Sequence, residues 1–179
     1  MGYSFRARLE SMPSGAVAVI QMKDLTDENR VDCSALTRID MEEPKGHHLA
    51  QSGDLIFRSR GLINTSALLV DDPGLAVIAA PLFRIRVSDN RILPAYLNWF
   101  ISQTPAQVFL ASQAKGTAQK MIGKDDLEML EIFVPPLEQQ RHIVALALLA
   151  EQEQLIMNKI AKKRRQYMAI TLIRKAKGE

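Results

Sequence analysis

The chain is predicted to be α+β, with a strand-rich head over residues 1–136 and one long helix over residues 137–179. Three observations predict this. Short apolar runs separated by turn residues fill the stretch from Val17 to Asp89. Helical periodicity replaces them from Pro94, and neither glycine nor proline interrupts the chain from Leu137 to Lys177.

The elements follow in order. Ala16 to Met22 is an apolar run after the Pro13-Ser14-Gly15 turn and reads as a buried strand. Asp54 to Arg60 follows Ser52-Gly53 and alternates Ile56, Arg58 and Arg60 against Leu55, Phe57 and Ser59. Ala67 to Val70 is a third strand, stopped by Asp71-Asp72-Pro73-Gly74. Leu75 to Ala80 is a fourth. In Leu82 to Val87 the residues Phe83, Ile85 and Val87 share one face and Arg84 and Arg86 the other. Strands this short imply one antiparallel or mixed, partly closed sheet. Pro94 then opens a helix whose stripe is Leu93, Tyr96, Leu97, Phe100 and Ile101, and a second helix follows Thr104-Pro105. Residues 114–120 are polar, contain glycine and read as a loop. Lys124 starts a short helix, and Leu130 to Val134 reads as a last strand before Pro135-Pro136.

The stretch from Leu137 spans about 40 residues, roughly 60 Å of helix. Leu146, Leu149, Ile156, Ile160, Tyr167 and Ile170 recur at steps of three and four, with Glu153 and Lys163 interrupting the series. A helix of this length cannot bury itself against so small a head. It is expected to pair as a coiled coil.

Composition narrows the function classes. At 47% hydrophobic and 24% charged residues the chain is an ordinary folded protein. It has no apolar run of membrane-spanning length and no secretory leader, and its one cysteine cannot form an internal disulfide; a cytoplasmic protein is expected. The net charge of +3 conceals alternating zones: −3 over residues 1–55, +5 over 56–124, −6 over 125–158 and +7 over 159–179. Two basic zones split by an acidic one suit two anionic partners, although a merely solvated, uneven surface has the same composition.

Catalytic constellations are weak. His47 and His48 are adjacent, so their side chains are expected to diverge, and no cysteine or third histidine lies nearby in sequence; they read as a surface loop rather than a metal site. Cys33 lacks a paired base and reads as inert. No glycine-rich phosphate loop follows a strand, and Asp125, Asp126, Glu128 and Glu131 read as a solvated acidic face. Val134-Pro135-Pro136-Leu137 resembles the Asn/Asp-Pro-Pro-aromatic motif of amino-methyltransferases, but Val134 cannot hold an amino group and Leu137 cannot stack as an aromatic would. No enzyme activity, metal or cofactor is expected of the chain itself.

A binding surface is expected instead. Arg58 and Arg60 lie on one strand face and run into Gly61, with Asn64, Thr65 and Ser66 following; Lys115, Thr117, Gln119 and Lys120 surround Gly116. Arginine forks suit guanine edges and phosphates, amides can read adenine, and Lys, Ser and Thr suit phosphate oxygens. As isolated features they are equally ordinary surface residues.

Four segments in order supply a resemblance. Val19-Ile20-Gln21-Met22-Lys23-Asp24-Leu25, Gln51-Ser52-Gly53-Asp54-Leu55-Ile56-Phe57-Arg58-Ser59-Arg60-Gly61, and Ile92-Leu93-Pro94-Ala95-Tyr96-Leu97 with Gly116-Thr117 are similar to parts of a target recognition domain. Ile132-Phe133-Val134-Pro135-Pro136-Leu137-Glu138-Gln139-Gln140-Arg141-His142-Ile143-Val144 is similar to the lead-in of a spacer helix. Together they resemble the specificity subunit of type I restriction-modification systems. The resemblance implies a target recognition domain over 1–136 that reads double-stranded DNA, and a spacer helix over 137–179. It implies that a separate methyltransferase subunit holds S-adenosylmethionine and methylates adenine, joined in some systems by a nuclease/translocase subunit. The usual subunit carries two recognition domains and two antiparallel spacer helices, whereas this sequence has one of each.

A homodimer through Leu146, Leu149, Ile156, Ile160, Tyr167 and Ile170 is therefore expected, selecting a bipartite DNA site. The basic residues from Lys159 to Lys177 would meet the acidic 125–158 zone of an antiparallel partner helix, or else DNA or the methyltransferase. The competing expectation is an assembly or regulatory module that binds the methyltransferase, or a full specificity subunit, without reading DNA.

Overall fold

The computed structural model describes residues 1–5, 9–42, 44–61, 64–116 and 120–178. Six strands come first: β1 (Val17–Ile20), β2 (Thr37–Ile39), β3 (Leu55–Arg58), β4 (Ser66–Leu68), β5 (Ala76–Ile78) and β6 (Leu82–Ile85). Four helices follow: α1 (Pro94–Ile101), α2 (Thr104–Gln113), α3 (Lys124–Glu128) and α4 (Leu137–Ala176). The fold is α+β. The chain divides into two compact units, Met1–Arg141 and His142–Glu179.

The strands of the first unit form two three-stranded sheets rather than the single sheet expected. One has the order β2-β1-β5, with β1 antiparallel to β2 (Val17 opposite Ile39) and parallel to β5 (Ala18 opposite Ala76). The other, β4-β3-β6, is antiparallel throughout, with Phe57 opposite Ser66 and Phe83. The chain passes from one sheet to the other after β5, where the Leu82 amide donates to the Ala79 carbonyl. Pro81 has no N–H with which to continue a ladder.

Side-chain alternation then builds three apolar layers around the two sheets. Val17, Val19, Ile39 and Val77 line the outer face of the first sheet. Ile20 and Ile78 meet Ile56, Ala67 and Leu82 between the sheets. Leu55 and Phe57 point the other way, onto Leu97, Ile101, Leu110 and Ile122. β3 is thus buried on both faces, which is why it reads as an apolar run. Each such Leu, Ile or Phe contributes on the order of 1.5–3 kcal/mol by leaving water.

Gly15 shows how closely the first sheet is packed. A Cβ there would lie 2.6 Å from the Ile39 backbone, and the Gly15 carbonyl accepts from Arg38 Nε at 2.9 Å. Gly15→Ala is expected to lower stability by about 2 kcal/mol in urea unfolding, because backbone rather than a movable side chain must give way.

Two segments depart from the expected elements. β2 was not among the expected strands: three residues flanked by charge carry too little pattern. Conversely, Leu130 to Val134 forms no strand. Leu130 and Ile132 instead pack onto the layer beneath the helices, and the Tyr96 hydroxyl donates to the Phe133 carbonyl at 2.7 Å. The segment is held by side chains instead of a ladder. In α1, Pro94 occupies the first turn, and Tyr96, Leu97, Phe100 and Ile101 are buried as the stripe predicts.

The second unit is helical. α4 runs unbroken for 40 residues. Among the described residues no helix is long and apolar enough to cross a membrane.

Candidate nucleic-acid interface

The expected binding residues separate into two groups. The first closes inward. Arg58 ends β3 and is half-buried. Its Nη1 donates to Thr65 Oγ1 at 2.7 Å and Asn29 Oδ1 at 3.5 Å, and its Nη2 to the carbonyls of Leu25 and Thr26, both at 2.9 Å. Burial pushes its pKa below the usual arginine value. Asn64 is buried; its Nδ2 donates to the Arg58 carbonyl at 2.9 Å, and its own carbonyl accepts from Gln107 Nε2 at 3.0 Å. Arg58, Asn64 and Thr65 therefore staple the end of β3 to neighbouring loops. Arg58 and Arg60 do not share an exposed strand face, because the face of β3 carrying Arg58 is itself covered.

The second group opens outward. Beyond β3 the chain pairs with a segment sixty residues later: Arg60 bridges Met121, the Ile122 amide donates to the Ser59 carbonyl at 2.8 Å, and the Gly61 amide to the Lys120 carbonyl at 3.3 Å. Met121 also pairs with Lys115 in both directions, at 3.0 and 2.9 Å. Ile122, fully buried, anchors this ribbon in the layer beneath. Arg60, Lys115 and Lys120 are all exposed, so one small ribbon presents three cations drawn from two distant stretches. Lys115 Nζ lies 3.1 Å from Asp126, whose carboxylate also accepts from the Gly123 amide. Arg60 and Lys120 have no carboxylate within ion-pair distance among the described residues. Thr117 and Gln119 lie outside the described residues.

A loop that the sequence reading did not single out lies beside the staple. Asn29 adopts φ +54. Its carbonyl accepts from Asn98 Nδ2 at 3.0 Å and from the Leu68 amide at 2.8 Å, and its Nδ2 donates to Ser102 Oγ at 3.2 Å. Asparagine tolerates this conformation better than most residues, and that was the available signal. Arg30, next to it, is exposed.

The two histidine side chains do not diverge as their adjacency led one to expect. His47 and His48 sit in the 3-10 turn Gly46–His48 with ring centroids 4.0 Å apart; burial pushes His48 below the usual histidine range. Burial and the nearby Asp71 and Asp32 push the Cys33 thiol up, favouring its protonated form. No group of three or more metal-ligating side chains gathers among the described residues.

On α4, Leu146, Leu149, Ile156, Ile160, Tyr167 and Ile170 are 53–70% exposed. Only three of the seven acidic residues in the 125–158 zone, namely Glu138, Glu151 and Glu153, lie on this helix. The broad acidic zone is therefore mostly a property of the first unit.

No family model matches the chain, and no curated protein matches it. Among solved structures it is similar to the HsdS subunit from Thermoanaerobacter tengcongensis, with a TM-score of 0.61 and 20% identity over 83% of this chain and 39% of that one. The chain thus spans well under half the length of that subunit, and over that span it shares the subunit's fold.

Proposed function

We propose that the chain is a non-catalytic, sequence-reading half-unit of a type I restriction-modification specificity subunit, working in a cytoplasmic complex. The head binds duplex DNA through the ribbon bearing Arg60, Lys115 and Lys120, with Thr117 and Gln119, between the two lysines in sequence, as further contacts. A separate methyltransferase subunit supplies S-adenosylmethionine and the transfer to adenine, and a nuclease subunit joins where cleavage occurs. The long helix joins two half-units, so that the target is bipartite. The observation that carries this reading is the convergence of Arg60–Gly61 with Lys115–Met121 on one exposed ribbon, in a chain with the HsdS fold. Cations on a ribbon anchored by Ile122 can neutralise phosphates.

The test is binding to a mixed-sequence 30-base-pair duplex, followed by anisotropy against salt. Each phosphate contact contributes about −0.9 to the log-log slope. Arg60→Ala and Lys120→Ala are each expected to flatten the slope by about that amount. Arg58→Ala is expected to lower stability and leave the slope unchanged, since its guanidinium is occupied within the protein. The exposed apolar series on α4 equally supports an assembly module that never touches DNA. Unchanged affinity in both ribbon variants would favour that second reading.

A further inference from the structure

The apolar series of α4 has an internal symmetry. Its positions, Leu146, Leu149, Glu153, Ile156, Ile160, Lys163, Tyr167 and Ile170, alternate steps of three and four, the signature of a coiled-coil seam, and all are exposed. Reversed about Asn158, the series matches itself. Leu146 falls opposite Ile170, Leu149 opposite Tyr167 and Ile156 opposite Ile160, while the two charged interruptions, Glu153 and Lys163, fall opposite each other.

We propose that α4 packs antiparallel against α4 of a second copy of this chain, with the two-fold axis at the level of Asn158 and two reciprocal Glu153–Lys163 ion pairs set in the seam. The proposal rests on the reading of the chain as a half-unit paired through its helix, and it adds the partner's register and the residues that select it. A partner of unrelated sequence would have no reason to complement this helix with the helix's own reversed pattern.

The alternatives are worse by named contacts. Sliding by one heptad in one direction sets Glu153 against Ile156 and Lys163 against Leu146; in the other direction Glu153 meets Ile170 and Lys163 meets Ile160. Each leaves charges facing apolar side chains. A parallel, in-register pair sets Glu153 against Glu153 and Lys163 against Lys163, and like charges in a seam oppose association. In the proposed register the charged positions are ten residues apart, about 15 Å along each helix, so the two ion pairs flank the axis symmetrically. Ile156 and Ile160 pack between them, and Leu149 and Tyr167 beyond them. The cost is Lys159, which flanks the axis beside its own copy; its four-carbon stem can carry the ammonium to water.

The test is charge exchange in the full chain, read by sedimentation velocity across concentration without DNA. The wild type is expected to dimerise. E153K and K163E alone are each expected to weaken self-association by roughly 100-fold, since each places two like-charged contacts in the seam. An equimolar mixture of the two variants is expected to recover the dimer, because every contact is then opposite in sign, and so is the double exchange E153K/K163E. Unfolding of the head by circular dichroism confirms that the single variants remain folded. Wild-type dimerisation in both single variants, a mixture that stays monomeric, or a wild type monomeric at tens of micromolar overturns the proposal. The ribbon variants and their DNA slopes are read separately, so a dimer without DNA binding sinks the DNA reading and leaves the register standing.

Discussion

Gln140→Ala is expected to destabilise the first unit by about 4 kcal/mol, with a fall in the urea midpoint at unchanged m. The side chain is fully buried, an unusual place for a glutamine on a helix. Its amide is used at both ends. Oε1 accepts from the Leu93 amide at 2.9 Å, and Nε2 donates to the carbonyls of Arg91 and Pro135, both at 2.7 Å. Leu93 precedes α1 and has no side chain able to cap it, so its N–H depends on this glutamine. Alanine leaves one amide and two carbonyls without these partners, and each group that stays unpaired costs about 1–3 kcal/mol. Glutamate is expected to fare no better, since it keeps the acceptor, loses both donors and introduces a charge. The Tyr96 hydroxyl on the Phe133 carbonyl ties the same two segments together. The polar residue at this place in the Pro-Pro-Leu-x-x-Gln lead-in therefore has a structural reason.

Asp54→Ala is expected to cost about 3 kcal/mol, and added salt is expected to change that cost little. Gly53, at φ +90, turns the chain so that the Asp54 carboxylate enters the protein, where it is 1% exposed. There it takes a two-pronged contact from Arg86, Nε and Nη2 each at 2.7 Å, and accepts from the Gln51 amide at 2.9 Å. The pairing also raises the arginine's pKa. Alanine removes a turn cap and an ion pair together. Arg86 keeps a weaker contact with the Leu49 carbonyl at 3.3 Å and is partly solvated, which holds the loss below that of a wholly interior pair. Asp54→Asn, which can still cap Gln51, is expected to fall between wild type and alanine. Equilibrium unfolding at low and high salt checks both statements.

The legible parts of this fold were those written locally. A 40-residue run free of glycine and proline is a helix whatever surrounds it, and α4 has the predicted start at Leu137. The β1 and β3 runs were visible because both faces are buried. Pairing was not legible: β1 lies parallel to β5, far along the chain, and no local pattern separates one sheet of six strands from two of three. The same two-sided burial reversed the meaning of Arg58. Alternation placed it with Arg60 on one face, but that face of β3 is covered, so one arginine became a staple and the other remained exposed. The approach of Lys115 and Lys120 to Arg60 depends on a bridge across sixty residues, which spacing alone does not reveal. Gln140 was marked only by its place in the lead-in to the helix; nothing in the helix's own pattern shows that it, rather than Gln139, turns inward.

The Arg58 staple grips its neighbour chiefly by main chain, through the carbonyls of Leu25 and Thr26. Main-chain oxygens are the same whatever side chain follows, so exchange at the exposed Glu28 leaves those two hydrogen bonds in place, while the Asp27 carboxylate adds only its charge in favour of the guanidinium. A protein built this way can rewrite the chemistry of a surface loop through successive substitutions while conserving its shape, separating what must stay constant from what is free to diversify.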